Sequence, residues 1–182
     1  MPNINEVTAG KPNLVGAVFR APLGTALPTD AKTALADAYK DLGYVSEDGV
    51  TNTNSPESEN IKAWGGEIVY SSQTEKNDEF GLTLISTLNV EVLKTIYGDN
   101  NVTETDGLIT VKATSDEQVE SVYVIDMILR NGALKRIVIP DGKIAEIGDV
   151  TYKDDEVAGY ELTITGLPKD GVTHYEYITP AE

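Results

Sequence analysis

The chain has 182 residues, no cysteine, and 14 basic against 30 acidic side chains, for a formal net charge of −16. A chain of this length can bury roughly two-thirds of its unfolded surface, so a single domain over residues 1–182 is expected without disulfide staples, and thiolate metal sites and thiol nucleophiles are excluded. The acids are spread along the whole chain and Lys135 with Arg136 forms its basic cluster, which excludes binding to phosphate backbones and leaves solubility as the plain role of the charge.

Residues 1–13, beginning MPNINEVTAGK, lack an apolar targeting segment and read as an arm; no apolar run in the chain approaches the ~20 residues that span a bilayer. A strand is expected near residues 14–20. Over residues 30–42 a helix is predicted: Thr29 or Asp30 caps it after Pro28, Ala31, Ala34, Leu35, Ala38 and Leu42 form a stripe at helical spacing, and Gly43 ends it. Tyr44 and Val45 then lead through an Asp48-Gly49 turn into a polar stretch, and Ala63 and Trp64, the one tryptophan, close it. Residues 46–63 are therefore predicted as a long polar loop, an uncommon feature of compact domains and usually a functional one. Gly65 and Gly66 allow a sharp bend into the next strand.

Strands follow at residues 67–72 and 79–87, then a second short helix at residues 90–97 between a capping Asn89 and a terminating Gly98. Further strands are predicted at residues 108–113, 122–130, 133–139, 143–152 and 157–165. Tyr123, Ile125, Met127 and Leu129 form an apolar face whose reverse is mixed, the pattern of a central strand, and Asn131-Gly132 signals a hairpin after it. Asp106-Gly107, Asp141-Gly142 and Asp170-Gly171 mark other turns. Tyr160, Leu162 and Ile164 alternate with Glu161, Thr163 and Thr165, so one face of that strand is dry and the other wet. A C-terminal segment occupies residues 166–182. The fold class is mainly β, a sandwich or barrel with one or two short α-helices packed outside.

Catalytic patterns are missing. His174 is the single histidine and has neither a GxSxG nucleophile nor a cysteine to serve, so it reads as a strand or arm residue. No phosphate-cradling glycine loop is present. Asp154, Asp155 and Glu156 fit no calcium loop and read as a solvated turn between Tyr152 and Val157, as Asp99-Asn100-Asn101 does after the second helix. Trp64 with Tyr44 and Tyr70 could stack on sugar rings; anchoring of the loop, in the core or against a neighbouring subunit, is the favoured reading. No enzyme, metal or cofactor is expected.

Three phrases carry a resemblance. GYVSEDGV, a Pro-Glu-Ser-rich middle and IKAWGGE occur in order within residues 43–67, followed by FGLTLISTLNVEVLKTIYG at residues 80–98 and LKRIVIPDGKIAEIGDVTYKDDEVAGYELTIT at residues 134–165. From about Gly16 to Thr165 the chain resembles the major tail protein, or tail tube subunit, of long-tailed siphophages. The resemblance implies hexameric rings that stack into a tube, one sheet per subunit joining edge to edge with its neighbours into a barrel around a lumen. It implies contacts between subunits and rings through Ser46, Glu47, Asp48, Thr51, Asn52, Ser55, Glu57, Glu59, Lys62 and Trp64. Glu161, Thr163 and Thr165 are the candidates for facing the lumen, through which DNA passes without specific binding. The implied partners are the chain itself, a tape measure protein, a tail terminator and a baseplate or distal tail protein. The implied place is the virion tail, assembled in the host bacterial cytoplasm and away from membranes. Alternatives are another tail or head component such as a distal tail protein, and a monomeric carbohydrate-binding β-sandwich.

Overall fold

A computed structural model describes residues 7–13, 16–130 and 132–181. Residues 1–6 of the predicted arm, Leu14 and Val15 of the first predicted strand, Asn131 of the hairpin turn and Glu182 lie outside the described residues, as do the side chains of Glu57, Gln73, Thr74 and Glu75.

The protein is mainly β, as predicted. In chain order the strands are β1 (Gly10–Pro12), β2 (Val18–Pro22), β3 (Lys40–Asp41), β4 (Val45–Lys62) and β5 (Ile68–Leu84). Helix α1 (Val90–Tyr97) and a 3-10 turn (Asp99–Asn101) follow, then β6 (Val102–Thr105), β7 (Leu108–Val111), β8 (Ser121–Leu129), β9 (Leu134–Ile147), β10 (Tyr160–Gly166) and β11 (Tyr175–Thr179). One antiparallel sheet runs β3-β2-β8-β9-β10-β5-β4, with β1 beside β8 and β11 beside β9. Its path does not close: it ends at β3 on one side and β4 on the other. β6 and β7 form a separate hairpin through Asp106 and Gly107, both at positive φ. The turn was legible there, and the strand at residues 102–105 was not.

β8 lies in the middle, and Ser121 to Asp126 are all buried. Tyr123 and Ile125 enter the larger core with Phe80, Leu84, Ile139, Leu162 and Ile164. Val122 and Val124 enter a second cluster on the opposite face with Ala21, Tyr39 and Val138. Burial on both faces accounts for the nearly continuous apolar run. The hairpin after β8 forms as predicted, with Gly132 at φ 81° and the Leu129 N–H donating to Ala133 O over 2.8 Å.

Helix α1 has the expected ends. Asn89 Oδ1 accepts the Glu91 N–H at 2.9 Å, and the Gly98 N–H donates to Lys94 O at 2.8 Å with φ at 95°. Eight residues are too few for a stable isolated helix, so its hold on the larger core through Val92, Leu93 and Ile96 stabilises it.

The helix predicted for residues 30–42 does not form. Asp30 Oδ1 accepts the N–H groups of Lys32 and Thr33 at 2.7 and 2.6 Å as a cap would. The carbonyls of Asp30 and Thr33 then accept from Arg136 Nη1 at 3.0 and 2.8 Å, which ties the segment to β9 along an irregular path. Ala34 and Ala38 are exposed, so the expected stripe is not one face. Leu35 and Tyr39 instead lie over Val122, Val124 and Val138, making residues 23–39 an irregular strap across that side of the sheet.

Two expected interruptions are strand interior. The predicted strands at residues 67–72 and 79–87 are one strand, β5, and the predicted Asp141-Gly142 turn lies inside β9. A Cβ on Gly142 would stand 2.7 Å from the Tyr123 ring and 3.0 Å from Ile164, so this glycine serves close packing. The strands predicted at residues 143–152 and 157–165 shorten to the end of β9 and to β10, leaving an irregular loop in which Lys153 pairs with Glu156 at 2.8 Å. The Asp170-Gly171 turn forms as expected: both residues have positive φ, and Lys169 and Val172 pair across it.

Candidate assembly surface

The predicted loop at residues 46–63 is the strand β4, paired with β5 from Val45–Leu84 out to Lys62–Ile68. Asp48-Gly49 falls in a bulge between Val45 and Val50 and does not reverse the chain. β10 pairs with β5 only over Glu79–Leu84. From the Asn54–Asp78 pair outward, β4 and β5 form a two-stranded arm with no third strand among the described residues. At ~3.4 Å per residue it projects about 30 Å. The sequence carries no signal for it because, among the described side chains of the arm beyond Asp78, neither face is buried, so no apolar alternation marks it.

Ser46, Glu47 and Asp48 lie in the bulge; Thr51, Asn52, Ser55, Glu59 and Lys62 follow along β4, and Trp64 stands at the tip. The tip turn is closed by Ala63 N–H to Glu67 O at 2.8 Å, with Gly65 and Gly66 at positive φ. Trp64 is fully exposed, so anchoring within its own core is overturned: the arm carries the ring away from every buried cluster. Ile61, Ile68, Val69 and Tyr70 beside it each expose more than half of their surface.

The root of the arm is fixed by a polar network that sequence reasoning missed. Asp78 is 1% exposed. It accepts Asn52 Nδ2 at 2.9 Å from β4 and Thr173 Oγ1 at 2.6 Å, and its Oδ2 meets His174 Nδ1. Phe80 and the His174 ring meet edge to face, with centroids 5.3 Å apart. Burial pushes the Asp78 carboxyl up, and the hydrogen bonds from Thr173, Asn52 and His174 outweigh it and hold the pKa below the ordinary value. A lone histidine was the sole hint in the sequence; nothing there paired it with a residue nearly a hundred positions away.

On β10, Tyr160, Leu162 and Ile164 are buried as predicted, and Glu161, Thr163 and Thr165 lie on the opposite face. The register puts Thr163 between Gly81 and Glu146, Thr165 between Glu79 and Lys143, and Glu161 beside Thr83. Thr51 and Thr53 of β4 extend these rows to the sheet's edge. These rows are hydroxyl and carboxylate except for Gly81 and Lys143, and Lys143 pairs with Glu117.

Converging charges elsewhere neutralise one another. In the hollow lined by Arg20, Lys40, Glu91, Lys94 and Asp99, Arg20 holds Asp99 through two bonds of 2.9 and 3.0 Å, and Lys94 holds Glu91 at 2.9 Å.

An unclosed antiparallel sheet with a long wet edge, a projecting two-stranded arm and an acidic outer face defines a structural β protein whose margins are open to further chains. The chain belongs to the phage tail tube protein family: the family model described as "Phage tail tube protein" matches residues 4–182. A search of curated proteins finds no match. Membership makes it a component of a phage tail that assembles with copies of itself into a tube, in a family whose role is structural and non-enzymatic.

Proposed function

We propose that this chain, acting as a single domain, forms stacked hexameric rings in the tail of a long-tailed siphophage and that genome DNA leaves through their lumen. The observation that carries the reading is the free edge of β4 beside a polar face whose rows run unbroken from Glu146 to Thr51. Strand addition at that edge satisfies its main-chain groups and extends the same face into the next subunit. Glu79, Glu146 and Glu161 with Thr163 and Thr165 then line the channel. Duplex DNA carries one charge per about 1.7 Å, and the screening length in cells is about 8 Å, so an acidic wall acts at short range to prevent sticking.

The arm, with the residues from Ser46 to Trp64, contacts the adjacent ring. Its partners in the tail are a tape measure protein, a terminator and a baseplate or distal tail protein, with assembly in the host cytoplasm. Ordering segments on assembly costs roughly 1–2 kcal/mol per fixed residue, which favours growth from a nucleus. Negative-stain microscopy of the concentrated protein, alone and with baseplate nuclei, is expected to show rings or tubes with a central channel. Persistent monomers under both conditions would refute the reading.

A further inference from the structure

We infer that the projecting arm and the C-terminal strand β11 open and close as one cooperative unit, coupled through the buried carboxylate of Asp78, so that a contact made on either one changes the stability of the other. The coupling is a property of the single subunit and precedes any assembly.

Both elements are weakly held by themselves. Among the described residues β11 pairs with β9 alone, from Tyr175–Val138 to Thr179–Leu134. Tyr175, Glu176 and Ile178 are exposed, and Tyr177 rests on the second cluster. The arm beyond Asp78 has two strands and, among its described side chains, no buried face. A ribbon of two strands is marginal in water.

Asp78 anchors the two together. Its Oδ1 accepts Asn52 Nδ2 of β4 at 2.9 Å. Its Oδ2 accepts Thr173 Oγ1 at 2.6 Å and meets His174 Nδ1, from the two residues that lead directly into β11. One oxygen thus serves the arm and the other the C-terminal segment. The His174 ring lies edge to face with Phe80, which is the β5 residue opposite Asn52. β10 leaves room for this approach by ending at Gly166, where a Cβ would stand 3.1 Å from Thr173 O and 3.5 Å from Asp78 O. The polar seam continues into β11: Glu176 lies 4.0 Å from His174 Nε2 and holds Lys135 of β9 at 2.8 Å.

A buried carboxylate that loses a donor is left short of partners where water does not replace them, which costs far more than losing an exposed hydrogen bond. Withdrawal of Thr173 and His174 leaves that deficit at the arm's root, and withdrawal of Asn52 leaves it beside β11. Opening both lets water reach the carboxylate, so the joint opening is favoured over either one alone. By reciprocity, whatever holds β11 in place protects the arm by the same factor, and the reverse.

Native-state hydrogen exchange on the full, unassembled chain tests the coupling. In the unmodified chain the slowest amides of β11 and of the arm are expected to share one opening free energy and one denaturant dependence, lower than those of β8. Thr173→Val, a change outside the arm, should speed exchange within the arm about tenfold, and Asn52→Ala should speed exchange within β11 by a similar factor, with β8 amides unmoved. Different denaturant dependences for the two segments of the unmodified chain would overturn the inference whether or not the variants fold. Acceleration confined to the altered side would overturn it too, as would equal acceleration of β8. The subunit is measured before assembly, so each of these outcomes leaves the tube reading to its own test.

Discussion

Asp78 stands where the arm leaves the sheet, and one carboxylate there ties three segments of chain together. Its lowered pKa fixes the sign of a pH effect. A carboxyl that is more acidic when folded stabilises the native state fully above the ordinary aspartate value of about 3.9, and the contribution is lost as pH falls through the lower native value. Melting temperatures across a pH series should therefore fall below about pH 4, and Asp78→Ala should flatten that limb. At neutral pH the same substitution leaves the Asn52, Thr173 and His174 donors without their acceptor, at an expected cost of about 1–3 kcal/mol in denaturant unfolding. An unchanged pH limb in Asp78→Ala would place the titration elsewhere.

Among the elements, the strap of residues 23–39 depends on one cation. Arg136 is 4% exposed and its Nε and Nη2 donate to Asp126 at 2.7 and 2.8 Å, while Nη1 serves the carbonyls of Asp30 and Thr33. Arg136→Met removes the partner of a buried carboxylate, a change that costs about 3–5 kcal/mol where such pairs are broken from one side. Chemical denaturation should show a loss of that order, and limited proteolysis should cut first within residues 23–39. Stability unchanged from the natural chain would mean that Leu35 and Tyr39 hold the strap by packing alone. Local helical signals, a capping aspartate and spaced alanines, are outweighed there by tertiary contacts: Leu35 and Tyr39 pack on the sheet, and an arginine more than a hundred residues away holds two carbonyls of the segment.

For the whole molecule, the net charge of −16 matters through its placement. Glu79, Glu146 and Glu161 sit on the polar rows of β5, β9 and β10, and each becomes lysine without disturbing the buried face. Tubes built from the triple Glu→Lys variant are expected to retain DNA in co-sedimentation, with retention falling steeply as salt rises. DNA passage equal to that of the unmodified tube would rule out the acidic lining as the cause of free transit.

Local signals sufficed wherever the cause was local. Asn89 and Gly98 bound α1, Asp170-Gly171 turns the chain, and the alternation from Tyr160 to Thr165 separates core from solvent, because caps, turns and strand faces depend on neighbours a few positions away. Phrases such as YVSEDGV and IKAWGG pointed to the family even while the intervening residues were misread as a loop. That arm, the passage of β9 through Gly142, the strap and the Asp78–His174 contact were decided by tertiary structure. Each depends on a partner far along the chain, and a strand wet on both faces leaves no periodic trace in its own residues.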